Sequence, residues 1–305
     1  MLKYIVKRVL LAVATIFLII VLTFFLMHLV PGHPFIGERV FSEQALAALE
    51  AKYGLDQPLL VQFQRYVTGL LKGDFGDSLK QRGRTVASII FSKFPVSARL
   101  GGITVVVALT LGIPLGCIAA TKRGKWLDNL IRVFSTFGIA VPSFVLCTLT
   151  MYFFGVKLGW LPTMGLSSPV HYVLPVFSLA FYPTAYIARL MRASMLDVLG
   201  QDYIRTARAK GLPQWVSLFK HALRNAVLPV VTYLGPMMAY TLTGSFVVEK
   251  IFTIPGLGRE FISSITNRDY TMIMGTTIFL AALMVVLNLV VDIAYKLIDP
   301  RIQLK

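Results

Sequence analysis

Six long apolar segments interrupt this 305-residue sequence and limit what it can fold into. Each is about 20 residues or longer, roughly the length that an α-helix needs to cross the hydrocarbon core of a bilayer. The chain has 56% hydrophobic and only 14% charged residues, which is too few charges to cover a soluble surface. We therefore predict an all-α integral membrane protein with six transmembrane helices, at residues 9–30, 97–121, 130–156, 172–191, 227–248 and 272–298.

The positions of Lys and Arg predict the orientation of the chain. They concentrate near the N-terminus, in the loops after the second and fourth segments, and near the C-terminus. Since short basic loops stay on the cytoplasmic side, we expect both termini in the cytoplasm. The loop at 31–96 is also basic, but loops of this length are translocated largely regardless of charge. This distribution makes nucleic-acid binding the weaker explanation of the net charge of +16.

The chain divides into three predicted parts. Residues 1–30 form the cytoplasmic N-terminal end and the first transmembrane helix, and residues 31–96 form an extracytoplasmic helical loop. In that loop Ser42 can cap a helix from Glu43 to Tyr53 that ends at Gly54. The loop is either a lid on the membrane face or a docking surface for an external partner. Residues 97–305 form a core with the other five helices, which includes a cytoplasmic loop at 197–225.

This cytoplasmic loop predicts two short helices that meet near Gly211. Asp202 is a plausible N-cap of the first helix, and Pro213 suits the start of the second. The helix dipole favours the cations near the end of the first helix, which are Arg205, Arg208 and Lys210. From these residues alone, a helix that docks on another protein and a basic helix that lies on anionic lipid are equally good hypotheses.

Signatures of catalysis and of metal binding are missing from the sequence. It contains no G-x-x-x-x-G-K-[ST] phosphate loop and no G-x-S-x-G elbow, and its histidines have no metal-ligand spacing. We therefore expect no enzyme, no metal site and no cofactor bound by this chain. Energy for transport would come from a partner protein or from an ion gradient. We expect Asp292 to be a structural ion-pair partner near the cytoplasmic face rather than a proton relay, and it is the residue to test for ion coupling.

The cytoplasmic loop resembles the signature loop of ABC importer permeases, which is Glu-Ala-Ala, three residues and Gly. Arg205-Thr206-Ala207 stands at the place of Glu-Ala-Ala, and Gly211 matches the glycine. Other stretches similar to this family lie along nearly the whole chain, at residues 31–35, 52–55, 73–78, 141–144, 249–258, 268–270 and 298–301. The chain is most similar to the oligopeptide, dipeptide and nickel branch, nearest to its B-type oligopeptide permeases.

The resemblance implies the type I permease fold and a division of labour among subunits. A second, homologous permease subunit completes the pore as a heterodimer, two cytoplasmic ATPases bind ATP and Mg²⁺, and an extracytoplasmic binding protein delivers the peptide substrate. The chain would be a multi-pass protein of the bacterial cytoplasmic (inner) membrane. The alternatives are a dipeptide or nickel importer permease and, from a different class, an ion-coupled secondary transporter.

Three groups of residues have predicted roles, the first and third from the resemblance and the second from the polar residues of the fifth apolar segment. The first group is a coupling helix that fits an ATPase. The residues that would contact the ATPase are Tyr203, Arg205, Ala207, Arg208 and Gly211. The whole coupling segment consists of Asp202, Tyr203, Ile204, Arg205, Thr206, Ala207, Arg208, Ala209, Lys210 and Gly211. The second group is either the lining of the substrate path or contacts between helices, namely Tyr233, Tyr240 and Thr241. The third docks the binding protein or forms an outer gate, namely Glu249, Pro255, Gly256, Leu257 and Gly258.

Overall fold

The computed structural model describes residues 2–29, 35, 43–242 and 245–298, and side chains only between residues 6 and 291. This part of the chain is helical and contains no strand, only an isolated antiparallel bridge between Asp77 and Thr85. The helices are α1 (Leu2–Leu29), α2 (Glu43–Tyr53), α3 (Leu59–Leu71), α4 (Val86–Thr121), α5 (Trp126–Ala140), α6 (Ser143–Thr150), α7 (Val173–Leu199), α8 (Asp202–Ala209), α9 (Gln214–Val216), α10 (Leu223–Ala226), α11 (Leu228–Leu242), α12 (Phe246–Ile251), α13 (Leu257–Asn267) and α14 (Tyr270–Ile298).

Three short irregular helices extend or join these elements. A π-helical segment, Met151–Lys157, continues α6, and a second one, Ser217–Ala222, joins α9 to α10. A 3₁₀ turn, Pro169–Tyr172, precedes α7. Such departures from α geometry are common where a helix is bent or broken.

The helices account for all six predicted membrane segments. Four continuous helical stretches are long and apolar enough to cross a membrane: Val6–Leu29, Val86–Thr121, Pro169–Leu199 and Tyr270–Val291. Two bent pairs bring the number to six if each pair is one span, namely Trp126–Ala140 with Ser143–Lys157, and Gln214–Ala226 with Leu228–Ile251. The predicted all-α membrane fold is confirmed.

The start of α4 differs from the prediction, which placed residues 86–96 in a loop. The helix begins at Val86, so it is 11 residues longer than the predicted second transmembrane helix. The stretch contains Lys93 and Pro95 and is less apolar than the segment that follows it. Val86, Ile89 and Ile90 are completely buried, and this packing outweighs the unfavourable effect of Pro95, which is the tenth residue of the helix.

By its internal contacts the chain forms two compact units. One unit contains residues 1–96 and 255–286, and the other contains residues 97–254 and 287–305. The predicted three-part division is a different partition and stays a prediction.

In the first unit, Asp269 fixes the segment that follows α3. Its carboxylate accepts hydrogen bonds from the Ser78 hydroxyl and from the backbone N–H groups of Leu79 and Lys80. It also accepts one from the N–H of Met272 in the first turn of α14, at 3.2 Å. One buried carboxylate therefore caps a long helix and holds a loop that is about 190 residues away in sequence.

The core of the second unit forms around α7. Ile187, Met191 and Met195 on one face of α7 are almost completely buried. They belong to a cluster that also includes Ile204 of α8 and Met237 of α11. Small residues let α4 approach α7 closely, since a Cβ atom at Gly116 would lie 2.6 Å from the carbonyl oxygen of Ala188.

Several sequence predictions lie outside the described residues. They are the Ser42 cap, most of the family-like stretch at 31–35 and the end of the chain after residue 298. Asp292 lies within α14, but its side chain is not among those described. The helix from Glu43 and its end before Gly54, which has a φ of +69°, agree with the prediction.

Candidate functional site

Helix α8 is anchored to its own chain by one apolar side. Ile204 is completely buried within the α7 core, and Ala207 is 8% exposed. The backbone after the helix turns at Gly211, whose φ of +74° lies in the left-handed region that favours glycine. The predicted stop at Gly211 agrees with this geometry, whereas the cap differs, because the helix begins at Asp202 and Gln201 occupies the N-cap position.

The opposite side of α8 is exposed and basic. Tyr203, Arg205, Thr206, Arg208 and Lys210 are all exposed, as are Asp202, Ala209 and Gly211. Ile204 and Ala207 face the interior of the chain, and contact of this segment with an ATPase stays a prediction. Their small or branched apolar side chains stabilise the helix where it lies.

Exposed apolar side chains adjoin this basic surface. Trp215 and Phe219, one helical turn apart, are 66% and 67% exposed, and Leu212 is 38% exposed. Asn225 donates a hydrogen bond of 2.8 Å to the hydroxyl of Tyr203 and orients that ring at the edge of the surface. An apolar patch with a cationic rim is typical of a surface that docks a protein or a membrane.

A cavity of about 620 Å³ lies among α5, α6, α7 and α11 of the second unit. Each of its walls includes a proline at which helical hydrogen bonding is interrupted: Pro142 between α5 and α6, Pro183 in α7 and Pro236 in α11. At Pro142 the chain bends by 104°. The last turn of α5, including Gly138 and Ala140, lines the cavity, and carbonyl groups at such a helix end have no intrahelical partners.

The three predicted path residues line this one cavity together. Tyr233, Tyr240 and Thr241 all lie on the α11 wall. The Thr241 hydroxyl donates to the carbonyl oxygen of Met237 at 2.8 Å and keeps its lone pairs for another donor. The Tyr233 ring packs against Tyr186 with centroids 4.4 Å apart, so it also contributes to helix packing. None of the described residues that line the cavity is charged.

The sequence prediction missed the other polar residues of the cavity. Ser143, Ser178 and Tyr182 contribute hydroxyl groups from α6 and α7. The available signal was the prolines in the middle of predicted spans, because irregular backbone at membrane depth is tolerated where it lines a cavity. The stretch at residues 141–144 stood out only through its likeness to the family.

The predicted docking or gate residues are mostly buried. Glu249 and Leu257 are completely buried, Gly256 and Gly258 are buried, and Pro255 is exposed. The burial of these four residues argues against docking through their side chains, and the docking role stays a prediction. A role in an outer gate stays a prediction.

Comparisons with known proteins agree with this architecture. The family model "Binding-protein-dependent transport system inner membrane component" matches residues 112–304, and the corresponding N-terminal model matches residues 1–101. The chain is similar in fold to a solved structure of the MetNI methionine ABC transporter, with a TM-score of 0.56 and 16% identity over 69% of this chain and 96% of that chain.

Two curated relatives match along their whole length. The dipeptide transport system permease protein DppB of Bacillus subtilis is 47% identical and covers 100% of this chain and 99% of its own. The oligopeptide transport system permease protein OppB of Haemophilus influenzae is 44% identical and covers 99% of this chain and 100% of its own. The resemblance seen in the sequence is therefore confirmed, and the chain belongs to the family of multi-pass inner membrane components of binding-protein-dependent transport systems, the permeases of ABC importers.

Proposed function

We propose that this chain forms half of the pathway by which an ATP-driven importer takes up oligopeptides. A second, homologous permease subunit would form the other half, and an extracytoplasmic peptide-binding protein would deliver the substrate. Family membership implies that nucleotide binding occurs in partner ATPases; we propose two, which bind ATP and Mg²⁺ in the cytoplasm. The names of the relatives that match the whole chain support a peptide as the substrate.

The uncharged cavity is the observation that carries this proposal. At about 620 Å³ it falls in the range of cavities that hold drug-sized ligands, roughly 300–1,000 Å³. Its hydroxyl groups on α7 and α11 and the carbonyl groups at the end of α5 suit the N–H and C=O groups that every peptide presents. A wall without charge lets peptides with different side chains pass, as a transporter of varied peptides requires.

We propose α8 as the coupling helix because its anchor lies in the same core as the cavity wall. Ile204 packs in the cluster that contains Met191 of α7 and Met237 of α11. Met237 also lines the cavity. When an ATPase moves the exposed side of α8, this continuous packing passes the movement to α7 and α11 and opens or closes the cavity.

The first experiment is purification of the tagged chain from its native membrane in mild detergent, with mass spectrometry of the proteins that accompany it. We expect two ATPases and a second six-span protein. The purification is then repeated after cross-linking in the membrane before extraction. If the chain is again found alone or only as a homo-oligomer, the importer proposal is contradicted. The next hypothesis to test is then ion-coupled transport that involves Asp292.

The second experiment tests coupling with Gly211→Trp. Gly124→Trp is the matched control. The two glycines have φ values of +74° and +75°, so the change strains the backbone equally at both positions. At either position an added Cβ atom would have no neighbouring atom within 4 Å. In a reconstituted complex we expect Gly211→Trp to abolish peptide uptake although the protein inserts and folds, whereas Gly124→Trp retains uptake. Normal uptake by Gly211→Trp contradicts the role of α8.

A dipeptide substrate is the second candidate, and the identity of 47% to a dipeptide permease favours it. Competition in the same uptake assay separates the two. Oligopeptide import predicts that an unlabelled pentapeptide blocks uptake of a labelled one and that a dipeptide in equal concentration does not. The reverse result assigns the chain to dipeptide import.

A further inference from the structure

A second cavity, of about 240 Å³, lies between α5 and α7 near the start of α5. Three arginines line it, Arg132 from α5 and Arg189 and Arg192 from α7. Ala188 and Ala193 also line it. The transport proposal makes no use of this site.

The charges around this cavity do not cancel. Asp128 accepts hydrogen bonds from Arg192 Nε and Nη2 at 2.6 and 2.8 Å, and from the N–H of Gly124 at 2.9 Å. Both oxygens of this carboxylate, which is only 1% exposed, are therefore occupied. Within the described part of the chain, Arg132 and Arg189 form no close ion pair, although Arg132 is attracted to Asp128 at longer range. Three guanidinium groups against one carboxylate leave the site with an excess of two positive charges.

A buried hydroxyl group in the same wall also has no partner. Ser135 lies one turn after Arg132, is 3% exposed and lines the cavity. Its Oγ forms no hydrogen bond with any residue that the structure describes. Because buried polar atoms are rarely left unsatisfied, this atom indicates an occupant with an acceptor oxygen.

The position of the site along α5 places it close to the membrane surface. The helix starts at Trp126, which is 71% exposed and follows the basic loop at residues 122–125. Exposed Trp and basic loops are typical of the boundary between membrane and water. Arg132 lies six residues further, about 9 Å along the axis, and a long arginine side chain reaches the headgroup layer from this depth.

We propose that this cavity binds the phosphate group of an anionic phospholipid. Guanidinium groups bind phosphate with paired, charge-assisted hydrogen bonds, and two of the three here lack an anion. The Ser135 hydroxyl donates to a third phosphate oxygen. The phosphate neutralises the excess positive charge, and the acyl chains lie outside the cavity along the apolar surface of α5.

Binding of labelled phosphatidylglycerol tests the proposal. The full chain, purified in detergent with the partners it retains, is titrated with the lipid at high salt, where diffuse attraction to surface charges is screened. Arg132→Gln with Arg189→Gln removes both free cations and leaves the pair of Asp128 and Arg192 intact. The control, Lys122→Gln with Arg123→Gln, removes two charges from the adjacent loop that do not line the cavity.

We expect saturable binding of phosphatidylglycerol by the wild type and little binding of phosphatidylcholine. The double Arg variant should bind at least about 100-fold more weakly, since each hydrogen bond to a charged group contributes a factor of about ten or more, and the control should lie within about twofold of the wild type. Ser135→Ala, which changes no charge, should weaken binding about fivefold.

Inorganic phosphate as a competitor separates two sources of the ligand. If millimolar phosphate displaces the labelled lipid, the site binds free phosphate as well, and the proposed chemistry holds. Equal weakening by the double Arg variant and its control contradicts the proposal. So does the absence of saturable binding by the wild type, which indicates that another protein chain covers the cavity.

Discussion

At the scale of single residues, the buried carboxylate of Asp128 has a hydrogen-bond partner for each of its oxygens. Asp128 is 1% exposed and lies in the first turn of α5, where a buried carboxylate without a partner would be expensive. Its hydrogen bonds to Arg192 and Gly124 satisfy both oxygens. Arg192 is 64 residues away in sequence, so no local pattern could identify the pair.

The first prediction concerns this ion pair. Arg192→Ala leaves a buried carboxylate without its partner and should reduce the free energy of unfolding by about 3–5 kcal/mol. Adding Asp128→Ala to that variant should restore part of the loss, because the unpaired charge is removed. Thermal unfolding in detergent of both single variants and of the double variant measures the coupling. Arg189→Ala, an exposed cation on the same helix, is the control and should change stability by less than about 0.5 kcal/mol.

The second prediction concerns Asp269. Replacement by Ala removes the acceptor that holds the backbone of Leu79 and Lys80. We expect faster cleavage by trypsin after the exposed residues Lys80, Arg82 and Arg84, because the segment opens more often. Asp269→Asn keeps one acceptor oxygen and should be cleaved at an intermediate rate. An unchanged cleavage rate in Asp269→Ala would show that other contacts hold the segment.

At the scale of helices, glycines determine how closely α4 and α7 pack. A Cβ at Gly116 would lie 2.5 Å from the Cβ of Met191, and a Cβ at Gly112 would lie 2.8 Å from that of Ile187. The carbonyl oxygen of Ala188, which is backbone and cannot rotate away, is also within 2.6 Å of the first of these positions. The two helices therefore approach as closely as their backbones allow.

The third prediction follows from this close approach. Gly116→Ala should reduce the free energy of unfolding by about 1–3 kcal/mol, because the helices must separate to admit a methyl group. Gly102→Ala is the matched control in the same helix, since a Cβ there has no atom within 4 Å. The better helix preference of Ala should leave that variant unchanged or up to about 1 kcal/mol more stable. Equal effects of the two changes would contradict the packing explanation.

The positions of the long helices could be predicted from the sequence. The bends within them, and the side of each helix that is buried, could be predicted only in part. The apolar segments and the stop at Gly211 follow from local composition. The bend at Pro142 had a local signal that the segment prediction ignored. The inward face of α8 had a weak local signal, the apolar residues Ile204 and Ala207 three positions apart. The cluster that buries Ile204, however, includes residues of α7 and α10 that only the tertiary structure brings together.

At the scale of the whole molecule, function depends on which side of the membrane each loop faces. The distribution of Lys and Arg predicts that α8 and the loop at residues 122–125 face the cytoplasm. The coupling proposal requires that orientation, because ATP is cytoplasmic. The segment between α1 and α4 must then face outward.

The fourth prediction tests this orientation by labelling single cysteines. Cys117 and Cys147 are first replaced by Ala, and Lys72→Cys and Lys122→Cys are then introduced separately at exposed positions. In intact cells or right-side-out vesicles, a membrane-impermeant thiol reagent should modify Lys72→Cys, and it should modify Lys122→Cys only after the membrane is permeabilised. The opposite pattern inverts the topology and removes α8 from the reach of a cytoplasmic ATPase.

The absence of charge among the described residues of the larger cavity has a consequence for nutrition. Protein digests contain fragments of every net charge, and a neutral wall neither retains a lysine side chain nor repels a glutamate side chain strongly. On the proposed function, fragments that differ widely in composition can use the same route into the cell. The range of peptides taken up is then determined by the extracytoplasmic peptide-binding protein. A cell can change which peptides it uses as nutrients by changing that protein, while the membrane component stays the same.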